Sequence, residues 1–203
     1  ASQDEAARIA ALWSLEGIKH YDATLMNTLL NAKQDNVRRE AVRSLSSFGL
    51  STEQVSTSIK NLTEDPNPMV RSEVLRTLAD IHAADNSTID ILVGACKPAL
   101  EGNAMGGSYE RSFERYLALK ALEQYPQQLY AYLQAGKGNT YPASNRLWAI
   151  QALPKEQKET MFLAIWPTAD IKELDEPAFT WLSKMLTNNK VYTMVKPVYE
   201  NTA

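Results

Sequence analysis

The chain has 203 residues, 44% hydrophobic and 22% charged, and its 21 Lys and Arg against 24 Asp and Glu give a net charge of −3. That makeup suits a folded domain, and the missing basic excess argues against a dedicated nucleic-acid binder, whose affinity rests on neutralising phosphates. Cys96 alone forms neither an intrachain disulfide nor a thiolate cluster, and no apolar run approaches the roughly 18 to 20 residues that span a bilayer.

Helix signals begin at once. The opening "ASQDEAARIAALW" is already charged and helical, as in a domain excised from a longer protein whose targeting signal would lie upstream. Ser2 and Glu5 read as a capping box ahead of Ala6 to Leu15, with Gly17 available to end the helix. Asp22 caps "ATLMNTLLNA"; Asp35 caps "NVRREAVRSLSSF", which Gly49 terminates. Ser51 with Gln54 opens "TEQVSTSIKNL", and Asn67 followed by Pro68 places a cap before a proline at the first helical position. Ser87 opens "TIDILVGACK", close to Pro98. After "EGNAMGG" a long helix runs through "SYERSFERYLALKALEQY" to Pro126. The segments "QQLYAYLQAG", "ASNRLWAIQAL", "KEQKETMFLAIW" and "EPAFTWLSKMLTNN" follow, and no stretch alternates with the period of a strand.

A repeat unites these helices. Arg8, Arg38, Arg71, Arg115 and Arg146 each begin the pattern Arg-x-x-small-aliphatic-x-x-Leu. Its small position holds Ala11, Ala41, Val74, Ala118 and Ala149, and its last position holds Leu15, Leu45, Leu78, Leu122 and Leu153. The arginines are separated by 30, 33, 44 and 31 residues, one helical hairpin each, with about eleven extra residues in the third interval. Offsets of three, four and seven place these side chains on one stripe, where the small residue lets a neighbouring helix approach. A hairpin with two apolar faces cannot bury both alone, so the pattern predicts stacking.

"DPNPMVRSEVLRTLADI" resembles the second helix of a HEAT-like repeat, of the short kind found in phycobilisome lyases, whose pattern is Asp-Pro-x-x-x-Val-Arg-x-x-Ala. The likeness is good around Arg38 and Arg71 and looser at Arg115 and Arg146, which lack the preceding Asp-Pro. It implies Asp–Arg pairing along the stack, with Asp65–Arg71 and Asp35–Arg38 as candidates, against a plainer reading of N-caps and solvated arginines. A narrower resemblance, carried by "GNAMGGSYERSFERYLALKALE" and "ARIAALWSLEGI", is to the helical segment of large bacterial proteins that also bear a dehydrogenase-like β-propeller and a c-type haem module. That resemblance implies a periplasmic or other extracytoplasmic setting. It brings no activity, because the haem signature Cys-x-x-Cys-His is absent.

Candidate chemistry is thin. His20 and His82 read as surface residues, Cys96 as a small core residue, and Asp170, Glu173, Asp175 and Glu176 as acids drawn to a helix N-terminus. Arg39, Arg43 and Arg76 fall outside the buried stripe and would form a basic patch for an acidic partner, or a solvated face balanced by Glu40, Glu73 and Asp80. The loop carrying Gly106 and Gly107, beside Tyr109 and Arg111, is either a partner-binding mouth or a connector packed on the stack. The aromatics from Tyr109 to Trp148 read first as packing and second as a binding platform.

The expected fold is therefore all-α, a right-handed α-solenoid of about five HEAT-like hairpins. It would form a single domain over residues 1–203, with clear repeats at 1–155 and diverged capping helices at 156–203. The expected role is a non-enzymatic interaction or scaffolding module of a larger bacterial protein, binding a protein partner or other domains of its parent. Neither cofactor nor metal is expected, and a small-molecule ligand is not anticipated. The alternative is an accessory domain of an enzyme, either a dehydrogenase or haem protein or a lyase-like HEAT protein.

Overall fold

The computed structural model describes residues 4–99, 108–189, 191–193 and 196. Its helices are α1 (Glu5–Gly17), α2 (Ala23–Leu30), α3 (Asp35–Ser44), α4 (Thr52–Ile59), α5 (Pro68–Asp80), α6 (Asn86–Ala95), α7 (Ser108–Leu122), α8 (Pro126–Gln134), α9 (Ala143–Ala149), α10 (Lys155–Ile165) and α11 (Glu176–Leu186). Short 3-10 turns extend several of them, and no strand occurs among the described residues. The chain divides into two compact units, Ala1–Ile91 and Leu92–Ala203, with the boundary inside α6.

In the first unit α3 packs on α1 and α5, α2 packs on α3, and α4 packs on α5, the hairpin-on-hairpin layering of an α-solenoid. The repeat stripe supplies the interface. Ala41, Val42 and Leu45 of one repeat and Val74, Leu75 and Leu78 of the next are all buried. Burying Leu45 and Leu78 contributes roughly 1.5 to 3 kcal/mol each. Thr77 Oγ1 donates to Val42 O at 3.2 Å, satisfying a hydroxyl inside the same seam. The first repeat is only partly covered: α1 packs chiefly on α3, and Leu12 is buried while Ala11 is exposed.

Local signals account for most helix starts. Asp22 accepts from Leu25 N at 2.9 Å, Ser51 and Gln54 form a complete capping box, and Asn67 caps α5 ahead of Pro68. Three starts differ from expectation. Asp4 caps α1 by accepting from Ala6 N, while Ser2 lies outside the described residues. Gln34 is the N-cap of α3, so Asp35 sits one position inside and bonds Asn36 N and the Asn67 side chain instead. Before α6, Asp85 accepts from Thr88 N at 2.8 Å, because it stands just ahead of the helix and can turn its carboxylate onto the free N–H groups, whereas Ser87 is already helical. Gly49 is left-handed at φ 68°, as the end of that hairpin's helix requires.

The repeat arginines tie the turns together. Arg38 forks onto Asp65 at 2.7 and 2.8 Å and also donates to the carbonyls of Ala32 and Lys33. Arg71 donates to the carbonyls of Asp65 and Pro66, the same relative positions one repeat on. The ion pair therefore joins successive repeats: Arg38 holds the next repeat's aspartate, not Asp35. Asp65 turns its carboxylate back to Arg38 and its carbonyl to Arg71.

In the second unit α9 lies against α7, α10 and α11, and α10 also packs on α8. Ala118, Leu122, Ala149, Ile150 and Leu153 are buried as the stripe predicts, alongside Leu129, Phe162 and Leu182. Arg115 is buried: its guanidinium carbon sits 3.5 Å from the centre of the Trp148 ring, and Nη1 pairs with Asp175, the N-cap of α11. Burial pushes the Arg115 pKa down against that pairing.

Candidate interaction face

One side of the first unit collects ionic groups from α1, α3 and α5. On α3, Glu40 and Arg43 are three residues apart and Arg39 and Arg43 four apart, so all three project to one face. Arg43 forks onto Glu16 of α1 at 3.0 and 2.6 Å and reaches Glu40 through Nε at 2.9 Å. Glu40 also accepts from Arg39 at 3.3 Å and from the Trp13 indole at 3.1 Å. On α5, Arg76 meets Glu73 at 3.4 Å. Arg39, Arg43 and Arg76 are thus brought onto one side, interleaved with Glu16, Glu40 and Glu73.

The two signs are not equally exposed. The arginine side chains are 32%, 37% and 40% exposed for Arg39, Arg43 and Arg76, whereas Glu16 is 17% and Glu40 and Glu73 are each 12% exposed. Long guanidinium arms lie over shorter carboxylates, so a formally balanced set turns its positive groups outward. Trp13, 53% exposed, flanks them. The carboxyl groups respond to their settings. The hydrogen bonds from Arg43 hold Glu16 below the ordinary glutamate range. Burial pushes Glu40 up, but the bonds from Arg43 and Trp13 outweigh it and its pKa falls. Burial wins at Glu73, whose pKa rises despite Arg76.

The other expected site residues lie elsewhere. Gly106 and Gly107 fall outside the described residues. Tyr109, near the start of α7, is 77% exposed. Arg111 is buried and pairs with buried Glu114 at 2.9 Å, so the exposed member of the two is Tyr109. The aromatics divide: Tyr125 and Tyr132 are core, while Tyr109 and Tyr116 face solvent. His20 and His82 are exposed, and buried Cys96 has its thiol pushed up to about 12 by burial. Among the described residues no group of three or more His, Cys, Asp or Glu could hold a metal ion, and no helix is long and apolar enough to cross a membrane.

Sequence reasoning found the three arginines but missed Trp13 and Glu16, which join them from α1. The repeat itself held the signal: Glu16 stands 27 residues before Arg43, and Trp13 27 before Glu40, close to one repeat length. The family description of HEAT repeats matches residues 23–99. These residues are HEAT-like repeats. No curated protein matches the chain.

Proposed function

We propose that the chain is a non-enzymatic protein-interaction module, and that Arg39, Arg43 and Arg76, with Trp13 beside them, hold an acidic segment of a partner. The partner is a separate protein or another domain of a larger bacterial, extracytoplasmic parent of the kind the sequence resembles. The unequal exposure of the two signs carries this reading. An incoming carboxylate meets guanidinium groups first, while the glutamates beneath keep those arms extended and ordered. Arginine suits the task because its planar fork binds a carboxylate through two parallel N–H bonds. Tyr109 on α7 offers a separate aromatic anchor of the type that interfaces use.

Fluorescence anisotropy of a labelled Asp/Glu-rich peptide, with a Lys/Arg-rich peptide as control, tests the reading. The acidic peptide should bind saturably and more weakly as salt rises, since screening acts over about 10 Å at 0.1 M. Arg39→Ser, Arg43→Ser and Arg76→Ser together should remove that binding. Equal binding of both peptides, or binding unaffected by the three substitutions, would refute the reading.

A further inference from the structure

In the second unit, Arg146 occupies the register position of Arg38 and Arg115, but its guanidinium is satisfied differently. Arg38 holds Asp65 and Arg115 holds Asp175. Arg146 donates only to neutral oxygens, Asn139 Oδ1 at 2.8 Å and Thr168 Oγ1 at 3.3 Å. Two of the five N–H groups of a guanidinium are used in this way, and the Nε–H is buried without an acceptor. No carboxylate of the described residues pairs with it, and burial alone lowers its pKa. Glu173 stands 27 residues after Arg146, the spacing from Arg38 to Asp65. It lines a different cleft, with Lys97, Tyr141 and Asn145.

The side chain of Arg146 lines an open cleft of about 380 Å³, within the range of small-ligand sites. Gln134, Asn139 and Thr160 supply polar edges, and Leu133, Met161 and Ile165 an apolar wall. Gly138 lies beside the arginine stem, and a Cβ there would crowd a Leu133 methyl at 3.1 Å and the Tyr132 ring at 3.3 Å while making only ordinary contact with Arg146 Cδ at 3.5 Å. A partly desolvated cation that pairs with no carboxylate of the described residues gains from a counter-charge, and this one faces a space large enough to admit one.

We propose that the Arg146 cleft is a carboxylate-binding site, taking a small amphipathic carboxylic acid or an acidic group at a peptide end. The guanidinium is the counter-ion and the Leu133–Met161–Ile165 wall receives the apolar part. A carboxylate is preferred because it is the group that satisfies Arg38 and Arg115 at the same repeat position, and because one negative charge matches the single cation.

Calorimetric titration of the full chain tests the site with sodium hexanoate, with a short peptide ending in Asp, and with 1-hexanol as the uncharged control. Hexanoate or the peptide should bind one to one, with a dissociation constant on the order of 1 mM, and the tighter of the two identifies the source. Hexanol should bind at least about tenfold more weakly. Arg146→Gln should abolish binding. Ala164→Phe, an exposed substitution that fills the cleft and spares the arginine, should abolish it too, with an unchanged circular dichroism spectrum. Absence of saturable heat from both carboxylates, hexanol binding as well as hexanoate, or undiminished binding in Ala164→Phe would each overturn the proposal.

Discussion

Replacing Asp65 by Asn tests the clasp between repeats with little change of shape. The Asp65 carboxylate takes both arms of Arg38 at 2.7 and 2.8 Å and the Asn67 N–H at 2.9 Å. The paired side chains are 12% and 3% exposed, so solvent screens them poorly. Asn keeps an acceptor for the turn but leaves the guanidinium, whose pKa Asp65 raises, without its counter-charge. Removing one partner of a buried pair costs about 3 to 5 kcal/mol. Arg38 retains the carbonyls of Ala32 and Lys33, which places the loss near the lower end, about 3 kcal/mol. For a chain of this length that is a fall in Tm of roughly 6 to 12 °C. Thermal melts followed by far-ultraviolet circular dichroism read it directly. The double variant Arg38→Met, Asp65→Leu should lose much less, because neither charge is stranded. An Asp65→Asn midpoint within about 1 °C of the parent would mean that the pair does not join the repeats.

Ala41→Trp should lower the melting midpoint sharply, because Ala41 is fully buried at the α3 seam and added volume there costs roughly 1 to 3 kcal/mol or more; an unchanged midpoint would place the seam elsewhere. Glu73→Gln should leave Tm equal or higher at neutral pH. The folded-state pKa of Glu73 lies above 4.5, so ionisation opposes folding above that value, and the advantage of Gln should vanish once the pH falls below 4.5. Glu16 has the opposite sign: its depressed pKa contributes stability present above 4.5 and lost as pH falls through the folded value, so Glu16→Gln should destabilise at neutral pH and cease to matter in acid. Cys96, just past the end of α6, should resist thiol reagents in the native chain and react on unfolding, and rapid native labelling would show that the packing around it opens.

The stripe was legible because helical spacing and burial obey the same geometry: Ala41, Val42 and Leu45, and their counterparts Val74, Leu75 and Leu78, are buried as the pattern requires. Caps such as Asp22 and Ser51 with Gln54 were legible because their partners are three residues away. Partners across repeats were not. Asp35 and Arg38 stand close in sequence, but Arg38 projects toward the following turn, where Asp65 waits, and Asp35 is drawn to Asn67. The outward turn of Arg39, Arg43 and Arg76 depends on side-chain length over packed helices, which composition alone does not express. Nor does sequence show that no carboxylate of the described residues pairs with Arg146, since Glu173 stands at a suitable spacing and lines another cleft.

Side-chain NMR of the full chain during titration with an Asp/Glu-rich peptide tests the interaction face most directly. The guanidinium resonances of Arg39, Arg43 and Arg76 and the indole N–H of Trp13 should move together and saturate with one affinity, while those of buried Arg71 and Arg115 stay fixed. Stationary Arg39, Arg43 and Arg76 signals at peptide saturation, or shifts confined to the second unit, would contradict the assignment of this face.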